Sequence, residues 1–228
     1  MSAPLPQGEE KGREVRRLFD SISPRYDLVN RVMTFGMDLG WRRRAVASLR
    51  LPGRSLVVDL ACGTGDICRE LERRGYRTIG FDFSHGMLVN ARTDAPLVEA
   101  DIARLPLDDG AADGATCGFA LRNVVSLQGL FRELARVVRP GGRIALLDAS
   151  EPDNRVLRAG HGVYFNRVVP MIGGLLSNQA AYSYLPKSMA YLPPPSEMVS
   201  MLREAGFPDA ERRQLTGGLT QLFVGTRA

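Results

Sequence analysis

Leu56-Val57-Val58-Asp59-Leu60-Ala61-Cys62-Gly63-Thr64-Gly65-Asp66 is the stretch from which the rest of the 228-residue chain is read. Its apolar first half predicts a buried parallel strand, and the glycine turn after it opens into a helical pattern over 67–74. Gly63 and Gly65 lack a Cβ, so the backbone there turns sharply and a ligand approaches it closely. The first helical turn presents unpaired N–H groups beside them. A strand ending in such a turn predicts a nucleotide or nucleoside site at its carboxyl end.

Small differences decide which nucleotide. The third glycine of the dinucleotide pattern is missing, and no Lys-Ser or Lys-Thr follows, so this is not a phosphate-cradling loop. Asp59 precedes the glycines, and a carboxylate there repels a pyrophosphate but attracts a cationic amino acid. Asp82 closes the next apolar run, Thr78-Ile79-Gly80-Phe81, 23 residues after Asp59. That position suits the two hydroxyls of a ribose. Together the two acids point to S-adenosylmethionine, and the block resembles the cofactor half of class I methyltransferases.

Composition sets the limits. An apolar content of 44% supports one globular domain with a full core, and no run approaches the ~18 apolar residues of a membrane span. Residues 1–12 read as a disordered leader, too polar for a signal peptide. Cys62, Cys68 and Cys117 lack metal-ligand spacing, which predicts a reduced cytoplasmic protein without a metal site. Only Lys11 and Lys187 are lysines, so 28 of the 30 basic residues are arginine. The net charge of +5 is spread along the chain and requires neither nucleic acid nor an anionic membrane. No nucleic-acid partner is expected; a homodimer stays open.

From residue 55 on, apolar runs (56–60, 78–81, 97–100, 115–119, 143–147) alternate with helical patterns such as 86–92 and 127–138. The alternation predicts a doubly wound parallel α/β sheet. Before it, segments 13–21, through Val32, and 41–49 form a helical cap within residues 1–54. The core would span 55–150, with Arg139-Pro140-Gly141-Gly142 turning into the fifth strand. Residues 151–195 form an insertion holding Tyr164, Phe165, Tyr182, Tyr184 and Tyr191, with apolar Leu175-Leu176 among them. Residues 196–228 close the chain with a helix over 197–205 and two strands about Gly217-Gly218.

The polar residues after each apolar run are the candidates for chemistry. Arg122 and Asn123 follow the fourth run, at the mouth of the expected cleft. Arginine would stabilise a developing oxyanion, and asparagine would hold a hydroxyl or a water. Asp101 ends the third run; the plain reading is a cap on the helix after it. His85 sits in a turn and reads as a surface residue, while nothing near His161 in sequence marks it as a base.

Phe19-x-x-Ile22-x-x-x-Tyr26-Asp27-x-x-Asn30, continuing to Met33-Thr34-x-Gly36 and Trp41, is similar to the N-terminal signature of the ubiquinone/menaquinone C-methyltransferase family. The glycine loop, Phe119-Ala120-Leu121-Arg122-Asn123-Val124, Val169-Pro170-x-Ile172-Gly173, Tyr182-x-Tyr184-Leu185 and Leu215-Thr216-Gly217-Gly218 resemble it as well. Ala120 stands where that signature has glycine, and Gly118 where a serine is common. The resemblance implies a seven-strand sheet and methyl transfer from S-adenosylmethionine to a ring carbon of a prenylated hydroquinone. It implies Tyr26, Arg122 and Asn123 around the reacting ring. Asp59, Gly63, Thr64, Gly65, Asp82, Asp101, Ile102 and Gly118 would hold the cofactor, with Asp101 and Ile102 flanking the adenine. The cap and the aromatic insertion would wall the isoprenoid tail, and such a substrate suggests contact with the periphery of a membrane. The rival readings are methylation of a tail-free phenol or polyketide-like acceptor, and a binding module that has lost transfer.

Overall fold

The computed structural model describes residues 7–169, 171–172, 184 and 187–228, without the side chains of 156, 163, 165 and 166. Pro170, Gly173, Leu175, Leu176, Tyr182 and Leu185 lie outside the described residues, as does the side chain of Phe165.

Seven strands form one sheet: β1 (Leu56–Leu60), β2 (Arg77–Asp82), β3 (Leu97–Glu99), β4 (Ala112–Gly118), β5 (Val138–Ala149), β6 (Glu211–Leu215) and β7 (Thr220–Thr226). Their order is β3-β2-β1-β4-β5-β7-β6, parallel except that β7 runs antiparallel between β5 and β6. Chain order reverses between β1 and β4, so the carboxyl ends of those two strands flank the crevice where an open α/β sheet binds ligands. The turn foreseen before the fifth strand is a bulge within it. Pairing jumps from Ala112–Val138 to Gly114–Arg143, and 139–142 loop out.

The central strands are apolar on both faces because helices cover both. Val58, Leu60, Ile144, Leu146 and Phe223 pack with Leu130, Phe131 and Leu134 of α6 (Leu127–Val137) and Met198 and Leu202 of α8 (Pro195–Glu204). Their alternating neighbours Val57, Ala145, Leu147, Leu222 and Val224 pack with α3 (Met37–Leu49) and α4 (Asp66–Arg73). Ser126 starts α6 by accepting from Gly129 N at 3.0 Å. Between β2 and β3 lies the short α5 (His85–Val89), capped by Ser84.

The leader differs from expectation. Helix α1 runs Gly8–Ile22, so residues 8–12 are helical. The reason is Lys11, which is buried, donates to Val124 O at 2.7 Å and lies 3.7 Å from the Tyr191 ring centroid. After a short 3₁₀ turn come α2 (Tyr26–Met33) and, past Gly36, α3. Ile22, Val29 and Met33 make a small core of their own with Met87 and Val169, which fastens the cap to α5 and the insertion. In that insertion α7 (Arg155–Val163) leads into a π-turn, Tyr164–Val168.

Candidate functional site

Two sites meet at the carboxyl ends of the strands. The first is the glycine loop. Gly63 and Gly65 both take positive φ, +56° and +84°; a Cβ on Gly65 would lie 2.7 Å from Thr93, whereas the space beside Gly63 is open. Asp82, at the end of β2, ties to this loop by accepting from Gly63 N at 2.8 Å and from Ser84 N at 2.9 Å. Burial raises its pKa to about 6 against those stabilising backbone N–H groups. A carboxylate offers about four lone-pair sites, so acceptor capacity remains for a diol.

Asp59 lies deeper than its place in the motif suggests. It pairs across the sheet with Gly80 and Thr116, and its carboxylate accepts from Thr116 Oγ1 at 2.7 Å and lies 3.5 Å from Cys68 Sγ. Burial pushes its pKa up to about 7. Thr64 turns its hydroxyl to Asp27 Oδ1 at 2.5 Å, joining the loop to α2. Asp101 is exposed and accepts from Ala103 N at 2.9 Å; the residues after it form turns and no helix, so the bond closes a turn and is not the helix cap expected from the sequence. Ile102 packs on the main core. Gly118 ends β4 where a Cβ would come 2.5 Å from Ile67 Cδ1, so a larger residue there would make the tip of that α4 side chain shift.

The second site is a cavity of about 520 Å³ bounded by α1, α2, α3, α7 and the turn Thr216–Gly218. Its wall is mostly apolar, with Phe19, Met33, Trp41, Phe119, Leu157 and Tyr164 supplying much of it. Tyr26 and Arg122 both line it, so two of the three expected reaction residues are brought together. Asn123 stands behind them, its Oδ1 accepting from the hydroxyl of Tyr184, a wall residue, at 3.3 Å. No proposed cofactor residue is among the cavity's described lining residues, yet the two sites share two seams. Tyr26 lines the cavity while adjacent Asp27 holds Thr64, and Phe119 lines it directly after Gly118.

The polar groups are strongly paired. Arg122 forms a buried ion pair with Asp148, which also accepts from Arg122 N at 3.2 Å. Arg122 Nε is buried without a hydrogen-bond partner among the described residues. Asp38 and Arg42 line the cavity and belong to an ion-pair network in which Asp38 and Asp66 bind Arg31 and Arg42, and Asp66 also binds Arg69. Burial works to raise the Asp66 pKa, but Arg42, Arg31 and Arg69 hold it below the usual carboxylate range. Burial raises Tyr26 despite Arg42 and Arg122, and raises Tyr184 to about 12, so both phenols are hydroxyl donors at neutral pH. Burial lowers His161, which leaves an uncharged imidazole on the cavity wall.

Asp148 was not singled out from the sequence, and Tyr164 and His161 were weighed there only as an aromatic of the insertion and as a histidine without a partner. Asp148 carries the signal that marked Asp82, an acid closing a buried strand. His161 carries none, because its neighbours in the cavity come from distant segments. Local backbone strain marks the cavity as well. Phe35, Phe119 and Thr216 line it at positive φ of 50°, 62° and 49°.

A model of the ubiE/COQ5 methyltransferase family matches residues 7–227. The chain belongs to that family. Among its members, the Ubiquinone/menaquinone biosynthesis C-methyltransferase UbiE of Syntrophotalea carbinolica is 39% identical, across 95% of both chains. The Demethylmenaquinone methyltransferase of Thermus thermophilus is 40% identical over 92% of this chain and all of that one (100%). Among solved structures, a SAM-dependent methyltransferase of Thermotoga maritima superposes with a TM-score of 0.67 at 18% identity, covering 93% of this chain and 99% of the other. Phosphoethanolamine N-methyltransferase 2 of Haemonchus contortus, in complex with S-adenosyl-L-methionine, gives 0.62 at 11% identity over 82% and 52%. As a member of the ubiE/COQ5 family the chain is a methyltransferase, and the solved structures share its class I fold.

Proposed function

We propose that the protein methylates a ring carbon of a prenylated hydroquinone, with demethylmenaquinol as its principal acceptor and S-adenosylmethionine as donor. The names of the relatives support this reading. The observation that carries it is the cavity: about 520 Å³ of chiefly apolar wall with a polar minority that includes Tyr26, Arg122 and His161, beside Asn30, Asp38 and Arg42. A hydroquinone head needs a few polar partners, and an isoprenoid tail needs apolar surface.

The donor's contacts are assigned to this chain's residues by chemistry. Asp82 would hold the ribose hydroxyls, because its buried carboxylate keeps acceptor capacity beyond its bonds to Gly63 N and Ser84 N. Gly63, Thr64 and Gly65 supply close backbone approach, while Asp59 attracts the cationic amine from below the loop. Asp101, Ile102 and Gly118 bound the adenine end. When bound, the donor supplies an electrophilic methyl on a sulfonium.

The ring carbon becomes nucleophilic as its neighbouring hydroxyl loses a proton. Arg122 stabilises the resulting oxyanion, with Nε as the donor that the Asp148 pair leaves over. Tyr26 donates to the same oxygen, Asn123 is positioned by Tyr184, and neutral His161 takes the proton. The apolar wall excludes water and aligns the ring. The protein meets its acceptor at a membrane surface, since a prenylated quinol resides there.

The test is label transfer from S-[methyl-³H]adenosylmethionine to reduced demethylmenaquinone, beside benzoquinols and tail-free phenols. Label in the naphthoquinol ring is the expected result. Label confined to tail-free phenols would discard the quinone assignment and keep methyl transfer.

A further inference from the structure

We propose that the mouth of the cavity is itself the membrane-binding face, and that it docks on an anionic lipid bilayer. The inference rests on the quinol reading and adds which surface meets the lipid and by what chemistry.

Its apolar part comes from two segments. Leu28, Val32 and Phe35 recur at i, i+4 and i+7, so they form one stripe along α2 and its C-terminal turn. They are 56%, 39% and 75% exposed, while Val29 and Met33 on the opposite side are buried. Beside them stands the insertion. Val169 and Ile172 pack inward with Val29 and Met33, and Met171 between them faces out at 60% exposure. Leu157 of α7 is 53% exposed, and Leu157 and Phe35 also line the cavity. The Phe35 ring lies 6.1 Å from Tyr164, which joins the two segments across the mouth. The exposed apolar surface is thus continuous with the apolar interior of the cavity. Large exposed apolar groups are costly on a freely soluble face and are a mark of an interaction site.

Charge identifies the partner. Residues 154–196 contain no aspartate or glutamate, yet hold Arg155, Arg158, Arg167 and Lys187. All four are exposed, and Arg158 spends hydrogen bonds only on the backbone oxygens of Pro152 and Asp153. A protein partner would be matched by mixed charge. Exposed apolar side chains on a segment that carries arginines and lysine and, from 154 to 196, no acid suit apolar insertion among anionic headgroups, with Glu151 and Asp153 lying just before that segment. Docked in this way, the cavity opens into the acyl layer, and a long-tailed quinol enters without its tail crossing water.

The experiment uses the full chain with vesicles of phosphatidylglycerol and phosphatidylcholine, and with phosphatidylcholine alone. Wild-type protein should float with the anionic vesicles, stay in solution beside the neutral ones, and come off at high salt. Leu28→Glu/Val32→Glu/Met171→Glu, which leaves the cavity wall intact, should lower vesicle binding at least about tenfold. Arg155→Glu/Arg167→Glu should do so with no apolar side chain changed, and thermal melts check that each variant folds. Both variants should methylate a short-tailed, water-soluble quinol like the wild type, and lose rate only on long-tailed quinol embedded in vesicles. Failure of the wild type to bind, equal binding to neutral lipid, or unchanged binding by folded variants would overturn the proposal. Methylation of the short-tailed quinol reports on the catalytic reading separately, so the two failures are distinguishable.

Discussion

The donor loop and the acceptor cavity lie side by side and are built in opposite ways. The loop is local: its glycines, Thr64 and Asp66 are consecutive, and Asp82 is one βαβ step away. Asp82 is held by backbone N–H groups of the same turn region, Gly63 and Ser84, while Thr64 and Asp66 reach out to side chains of the cap. The cavity is assembled from residues 18–42, 119–122, 149–169, 184 and 216–220, and several of its polar groups pair with partners distant in the chain, as Arg122 does with Asp148 and Trp41 with Thr216. A local site tolerates drift around it, whereas a composite one depends on every segment that builds it. The difference also locates the coupling between them, at Asp27–Thr64 and at Gly118–Phe119.

Variants sharpen this contrast. The largest effect is expected for Arg122→Ala. It should cut turnover by roughly 10²–10³ and destabilise the fold by about 3–5 kcal/mol, because Asp148 is left buried and unpaired. Steady-state rates with melts measure both, and a stable, active variant would remove Arg122 from the mechanism. Next, Asp82→Ala should weaken donor binding by roughly 10–100-fold, the worth of hydrogen bonds to a charged group. Calorimetry should show little change in quinol affinity; equal losses on both sides would mean that the two sites are not separable.

Asp59→Asn tests the buried acid below the loop. Its folded pKa, about 7, is raised above the unfolded value of 3.8 by burial. The stability this group contributes is therefore fully present below pH 4 and is lost as pH rises through about 7. The neutral variant should melt at higher temperature than the wild type above pH 7, by roughly 1–3 kcal/mol of stability, and converge with it at low pH. A constant offset across pH would show that Asp59 keeps an ordinary pKa. Tyr26→Phe should lower kcat about tenfold with donor affinity unchanged. Smallest is the seam: Asp27→Ala and Thr64→Val should couple by about 1 kcal/mol in a double-mutant cycle on stability, and additive effects would break the link between cap and loop.

Legibility follows the same division. The strand–turn–helix, the five parallel strands and the terminal pair were readable because period-two apolar runs and turn residues are local signals. Asp59 was readable as a motif acid but not as a buried one, since Thr116 and Cys68 reach it only in the folded sheet. Arg122 was readable as a polar residue after a strand, but its ion pair joins the turn after β4 to Asp148 of β5. The helical start at residue 8 was missed because Lys11 reads as a solvated charge. Its partners, Val124 O and the Tyr191 ring, lie more than a hundred residues away.

The amino-acid sequence alone determined the sheet class, the donor loop and the family, because hydrophobic period, glycine spacing and an acid at a strand end act within a few residues. Tertiary structure alone decided that Tyr26, Arg122 and His161 share one cavity, that Asn123 stands behind Tyr184, and that α2 and the insertion expose a joint apolar rim. The physical reason is that burial and pairing are properties of neighbours in space, and the packing of the cap onto the sheet chose those neighbours.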